Sequence, residues 1–87
     1  MAVRFTQHAR EKFDILARHK FMVTEAQIID ALTSPDKIET DREPYVAQKA
    51  FDEKHVLRVV FRTEGNDNVV ITFYPGRKQR YEDQLRP

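Results

Sequence analysis

The chain has no cysteine and only two glycines in 87 residues. Without cysteine there is neither a disulfide framework nor a thiolate metal site. With Gly65 and Gly76 as the sole glycines, a glycine-rich phosphate cradle cannot be built. A P-loop, a dinucleotide fingerprint and a nucleophile elbow are all missing. No apolar run approaches the ~20 residues that span a bilayer. Residues 1–5 lack the apolar segment of a secretory signal, so the expected localisation is cytoplasmic. His8, His19 and His55 show no chelating spacing, so no metal and no cofactor is expected. An excess of one charge is also missing. The net charge is +1, whereas a dedicated nucleic-acid binder is often strongly basic. Distribution matters more than the sum: Arg77, Lys78 and Arg80 concentrate positive charge near the C-terminus, and residues 36–43 are mainly acidic.

What is present fits one soluble globular domain over 1–87, with 40 % hydrophobic and 33 % charged residues. A chain of this length buries only about 60–65 % of its unfolded surface. Residues 3–5 form a short strand or an extended lead. Thr6 is an N-cap for a helix over 7–18, where Ala9, Phe13, Leu16 and Ala17 share one face. Thr24 and Gln27 form a capping-box pair, with Val23 and Ile28 as the hydrophobic staple. This second helix carries Ile28, Ile29 and Leu32 as its buried stripe. Ser34-Pro35 stops it, because proline restricts the residue before it and cannot continue the hydrogen-bond ladder.

Everything after Pro35 reads as strand. Residues 36–42 make a charged edge strand, and 45–52 a second strand with Tyr45, Ala47 and Phe51 inward and Lys49 awkwardly placed. Residues 56–63 and 69–74 form a hairpin. Strand side chains alternate between faces, so Leu57, Val59 and Phe61 share one face, as do Val69, Ile71 and Phe73. Arg58 and Arg62 fall on the opposite face with Tyr74. An unbulged pairing of the two apolar triplets requires an odd-length loop. The expected fold is α+β: two N-terminal helices packed on a four-stranded antiparallel sheet. Residues 76–87 are a basic tail or a short helix.

Arg58, Arg62 and Tyr74 are the first candidate constellation. The planar guanidinium fork suits phosphate, and a nearby phenol can orient a ribose hydroxyl or exchange a proton. The competing reading is an ordinary solvated sheet face, since arginine and tyrosine are good cross-strand neighbours anywhere. His8, in the first turn of the first helix, is the histidine of choice for proton transfer; the competing reading is a surface histidine on the helix flank. His55 looks blander, in the turn 52–55. In the tail, Arg77, Lys78 and Arg80 suit a nucleic-acid backbone and Tyr81 a base; a frayed terminus is the alternative.

The segment His19-Lys20-Phe21-Met22-Val23-Thr24-Glu25-Ala26 resembles the "His-Gly-Val-Ser/Thr-x-Glu-Glu-Ala" turn and helix of BrnT-type toxins. Pro35-Asp36, Asp41-Arg42, Tyr45-Val46-Ala47, Leu57-Arg58-Val59-Val60-Phe61-Arg62 and Val70-Ile71-Thr72 follow in that family's order. The opening Phe5-Thr6-Gln7-His8-Ala9-Arg10-Glu11-Lys12 and the ending Val70-Ile71-Thr72-Phe73-Tyr74 look similar to a related uncharacterised bacterial family of small domains. Both groups resemble the RelE/ParE-like toxins. The resemblance implies helices on an antiparallel sheet, RNA or the ribosome as target, and a cognate antitoxin as protein partner. It also implies metal-independent mRNA cleavage, in which a 2′-hydroxyl attacks the adjacent phosphate. Mapped by motif, His8, Arg58, Arg62 and Tyr74 take the catalytic positions, and Arg77, Lys78, Arg80 and Tyr81 would hold RNA. The chain departs from the BrnT pattern after its last strand, where Phe73-Tyr74-Pro75-Gly76-Arg77 replaces "Ser-Ala-Arg".

The leading expectation is therefore an RNA-binding, toxin-like protein of a toxin–antitoxin pair, monomeric or weakly dimeric alone. The rival is a non-catalytic protein-interaction domain of the same fold. A DNA-binding module is disfavoured, because neither helix carries an Arg/Asn-rich recognition face.

Overall fold

The computed structural model describes residues 2–79. The elements are β1 (Val3–Phe5), α1 (Gln7–Arg18), α2 (Glu25–Thr33), β2 (Lys37–Glu39), β3 (Tyr45–Ala50), β4 (His55–Glu64) and β5 (Asp67–Arg77). The class is α+β, as expected, but the sheet has five strands in the order β1-β5-β4-β3-β2. The expected four-stranded antiparallel sheet is corrected to a mixed one. The lead 3–5 is a true strand, parallel to β5, with Val3 opposite Asn68 and Phe5 opposite Val70. Its partners are distant in the chain, so no local pattern announces the pairing. The other pairs are antiparallel and form the expected meander.

The helices start and stop for local reasons. Thr6 Oγ1 accepts the Ala9 amide at 3.1 Å and caps α1. Thr24 and Gln27 make both bonds of the capping box, at 3.2 and 2.9 Å, and Val23 and Ile28 are both buried, as a staple requires. The end of α1 is a Schellman motif: the Phe21 amide bonds Leu16 O at 2.9 Å and the Lys20 amide bonds Ala17 O at 3.0 Å. Lys20 takes the left-handed position, φ 68°, usually held by glycine. Lys49 is not awkward after all. Its ammonium reaches Ser34 O at 2.8 Å and Asp30 at 3.1 Å, placing a cation at the C-terminus of α2.

Gly65 (φ 61°) and Asn66 form a two-residue hairpin turn between the paired residues Glu64 and Asp67. Glycine at the first central position, with positive φ, is what a type II′ turn needs. An even loop puts the apolar triplets out of phase. The chain restores the phase with a bulge: Val60 faces Thr72 and Phe61 faces Val70, leaving Ile71 as the extra residue. Val70 therefore enters the core in place of Ile71, which is half-buried. Thr6 secures the bulge. Its amide bonds Val70 O at 3.0 Å, and its hydroxyl donates to Ile71 O at 3.1 Å. One threonine thus caps α1 and satisfies a carbonyl that the ladder leaves out.

Both helices pack on the face carrying Ala47, Leu57, Val59, Phe61, Val70 and Phe73, adding Ala9, Leu16, Ile28, Ala31 and Leu32. Phe13 lies 4.6 Å from Phe73, ring to ring. Ile29, expected inside, is 40 % exposed; Ala31 takes its place, because 28, 31 and 32 share a face and 29 is turned ~100° away. Strand boundaries also shift. The edge strand is only Lys37–Glu39, β3 ends at Ala50, β4 spans His55–Glu64 and β5 spans Asp67–Arg77. Gly76 and Arg77, expected in a tail or short helix, are strand residues paired with Val56 and His55. Pro75 is tolerated because β1 covers only Asn68–Val70, so the outer side of β5 has no strand beside Pro75 among the described residues.

Candidate functional site

The face away from the helices carries Glu39, Gln48, Arg58, Arg62 and Tyr74 by strand parity. Arg58 stands directly opposite Tyr74 on one side and Gln48 on the other. Its Nε donates to the Tyr74 hydroxyl at 3.0 Å, Nη1 to Gln48 Oε1, and Nη2 to Glu39 Oε2 at 3.0 Å. The guanidinium carbon lies 6.0 Å from the Tyr74 ring centroid. Burial pulls the Arg58 pKa down, but the bonds and charges of Tyr74 and Glu39 outweigh it and hold it above its ordinary value. The expected Arg58–Tyr74 pair is thus present. The expectation that it faces solvent is corrected, since Arg58 is only 7 % exposed. The donors that were to meet a phosphate are spent tying four strands together.

Arg62 does not join this group. It lies four residues along β4, about 13 Å away at strand rise. It binds Glu64 through Nε at 2.9 Å and Nη2 at 2.8 Å. Arg4 meets the same Glu64 at 3.2 Å and Asp67 at 3.4 Å. These bonds, Arg62 first, hold the Glu64 carboxyl below the usual carboxylate range. His8 is exposed in the first turn of α1, a helix that packs on the sheet face opposite to the one carrying Arg58 and Tyr74. Four residues expected to act together are therefore divided among three places. Arg80 and Tyr81 lie outside the described residues.

The other expected cations converge elsewhere. At the end of the sheet, Glu53, Lys54, His55, Arg77, Lys78 and Gln79 line a cleft of about 670 Å³. His55 and Arg77 are register partners on adjacent strands, and both follow the parity of Leu57 and Phe73, so the imidazole and the guanidinium issue from neighbouring points on one face. The Lys78 amide bonds Lys54 O at 2.8 Å and closes the cleft's rim. Among the described residues, neither Arg77 nor Lys78 makes an ion pair. Among the described residues, Glu53 is the one carboxylate in the lining.

The turn at 51–54 fixes the imidazole. Asp52 Oδ1 accepts the amides of Lys54 and His55, both at 2.8 Å, and lies 2.9 Å from His55 Nδ1. The backbone bond from Lys54 is the main cause that lowers the Asp52 pKa, so the carboxylate stays ionised. On the far side, the Phe21 ring meets the His55 ring edge-on at 4.9 Å. The Schellman turn with Lys20 in the left-handed position is what delivers Phe21 there. Sequence reasoning passed over His55 as a turn residue. The available signal was the Asp-x-x-His spacing, since an aspartate at a turn can bond the backbone two and three residues on and meet that residue's ring.

Among the described residues, no group of His, Asp and Glu side chains is arranged to hold a metal ion. Nor is any helix there long and apolar enough to cross a membrane. Compared with known proteins, the chain matches no family model, no curated protein and no solved structure.

Proposed function

We propose that this chain is an RNA-binding, toxin-like protein of the RelE/BrnT kind, which cleaves RNA without a metal ion and is held in check by a protein antitoxin. The site is the cleft at the end of β4 and β5, not the middle of the open sheet face. One observation carries this reading: Arg77 stands opposite His55 in a cleft that Lys54 and Lys78 also line, whereas the guanidinium groups of Arg58 and Arg62 are bonded to Glu39 and Glu64. A phosphodiester there meets planar and point-charge donors together.

The experiment is RNA binding and cleavage by the purified chain, with and without ribosomes and with a chelator. A salt series accompanies it, because displaced counterions make phosphate contacts salt-sensitive. The expected result is affinity at low salt that falls as salt rises, is reduced in Arg77→Ala and Lys78→Ala, and is indifferent to chelator. No detectable affinity at low salt would overturn the reading.

The outer edge of β5 supports the second reading, a non-catalytic domain that takes a protein partner. Beyond Val70 it has no strand neighbour among the described residues, and an extended segment of a partner can add a strand to such an edge. Pro75 limits that pairing. Light scattering at micromolar concentration should find a monomer or weak dimer without the partner; a stable tetramer would contradict it.

A further inference from the structure

His55 is the histidine that the structure holds in one orientation. A carboxylate grips one ring nitrogen and an aromatic edge abuts the ring, and the side chain is 25 % exposed, toward the cleft that Arg77 and Lys78 line. Among the described residues, no side chain bonds the rings of His8 or His19, and both are exposed. We infer that His55 is the catalytic proton-transfer residue of RNA cleavage in this cleft, with Asp52 as its positioning residue. This inference rests on the RNA reading above.

The chemistry follows from which nitrogen is occupied. An ionised carboxylate can only accept, so Asp52 selects the tautomer with the proton on Nδ1, which carries its lone pair at Nε2. With the phosphodiester on Arg77 and Lys78, Nε2 takes the proton of the adjacent 2′-hydroxyl. The O2′–P bond forms as the P–O5′ bond breaks. The imidazolium, stabilised by the ionised Asp52, then returns its proton to the departing 5′-oxygen. One group acts first as base and then as acid. The products are a 2′,3′-cyclic phosphate and a 5′-hydroxyl, so atoms and charge balance with no water, metal or oxidant consumed. The positive side chains of Arg77 and Lys78 offset the charge that grows on the phosphoryl oxygens.

The test compares wild type with His55→Gln and Asp52→Asn on an RNA oligonucleotide and on ribosome-bound message, with analysis of the product ends. The same oligonucleotide with one 2′-deoxy sugar at the cut site serves as control. Wild type should leave 2′,3′-cyclic phosphate ends and spare the deoxy control. His55→Gln should bind RNA as wild type does, yet cleave at least about 100-fold more slowly. Asp52→Asn should lower kcat with KM unchanged. Added imidazole should restore part of the cleavage by His55→Ala, which a merely structural histidine would not allow. Thermal melting checks that each variant is folded; if His55→Gln melts early, the imidazole rescue decides. Undiminished cleavage by a folded His55→Gln overturns the assignment, as does wild type that binds RNA but cuts neither substrate. Failure of wild type to bind RNA at all sinks the RNA reading itself, a separate outcome.

Discussion

Arg58 and Arg77 sit on the same β-hairpin, and a reader of residue types would give them the same task. Arg58 is in the middle of the sheet, where the strands on either side supply a phenol, an amide and a carboxylate to its donors. Arg77 is at the sheet's end, where its strand partner is an imidazole already engaged by Asp52. The first arginine holds strands together. The second is left with its donors toward a cleft. Position within the sheet, and not chemical type, separates a cation bonded to its neighbouring strands from one that lines a cleft.

The largest effect concerns the packing of helices on the sheet. Phe73 is fully buried against Phe13, and Phe73→Ala should cost ~3–5 kcal/mol in denaturant melting. A midpoint close to wild type would mean that the helices do not rest on this part of β5. Arg58→Ala comes next. It removes a bond partner from Tyr74, Gln48 and Glu39, but the Glu39 side chain is only half-buried, so the cost should be about 2–3 kcal/mol, less than for a fully buried pair. Simple strand parity predicts almost no loss for a solvated arginine, so the same melting experiment decides between the two views.

Arg77→Ala is the contrasting variant. Its stability should stay within ~0.5 kcal/mol of wild type, while RNA affinity at low salt falls about tenfold with loss of a charge-assisted phosphate contact. A stability loss like that of Arg58→Ala would erase the distinction between the two arginines. The smallest effect is pH-dependent and lies at the other end of the hairpin. The Glu64 pKa is lowered in the folded chain by Arg62 and then Arg4. A lowered folded pKa means the stabilisation is full above the unfolded carboxylate value and is lost as pH falls through the folded one. Glu64→Gln should therefore flatten slightly the acid limb of a melting-temperature profile, and high salt should do the same to wild type. An acid limb unchanged by the substitution would remove this ion pair from the account of stability.

Much of the local structure was legible. Thr6, Thr24 and Gln27 named both helix starts because caps are contacts among residues three apart. Alternation on β4 separated Leu57, Val59 and Phe61 from Arg58 and put Arg58 on the face of Tyr74; that the two stand directly opposite depends on the bulge, which alternation does not show. The site was legible only in fragments. Arg77 and Lys78 were picked out by charge, but His55 was not, since nothing in a linear reading shows that Phe21 and Arg77 will meet it. Conversely, His8 was singled out by resemblance and residue type, and the fold leaves it in the helix layer.

Short-range forces explain what the sequence by itself determined: where helices begin and end, which strand residues share an apolar face, that a meander follows the helices, and that the residues for a thiolate site or glycine cradle are missing. Caps, side-chain periodicity and turn residues act over a few positions, so their pattern is written consecutively along the chain. Tertiary structure alone decided the rest. It recruited residues 3–5 as a parallel fifth strand and placed a bulge at Ile71 to correct an even hairpin loop. It also buried Arg58 under its neighbours and brought the turn at Asp52 against the end of β5. Each of these depends on hydrogen bonds or packing between segments far apart in sequence. Their free energy belongs to the pair of segments, so neither segment carries a sign of it when read alone.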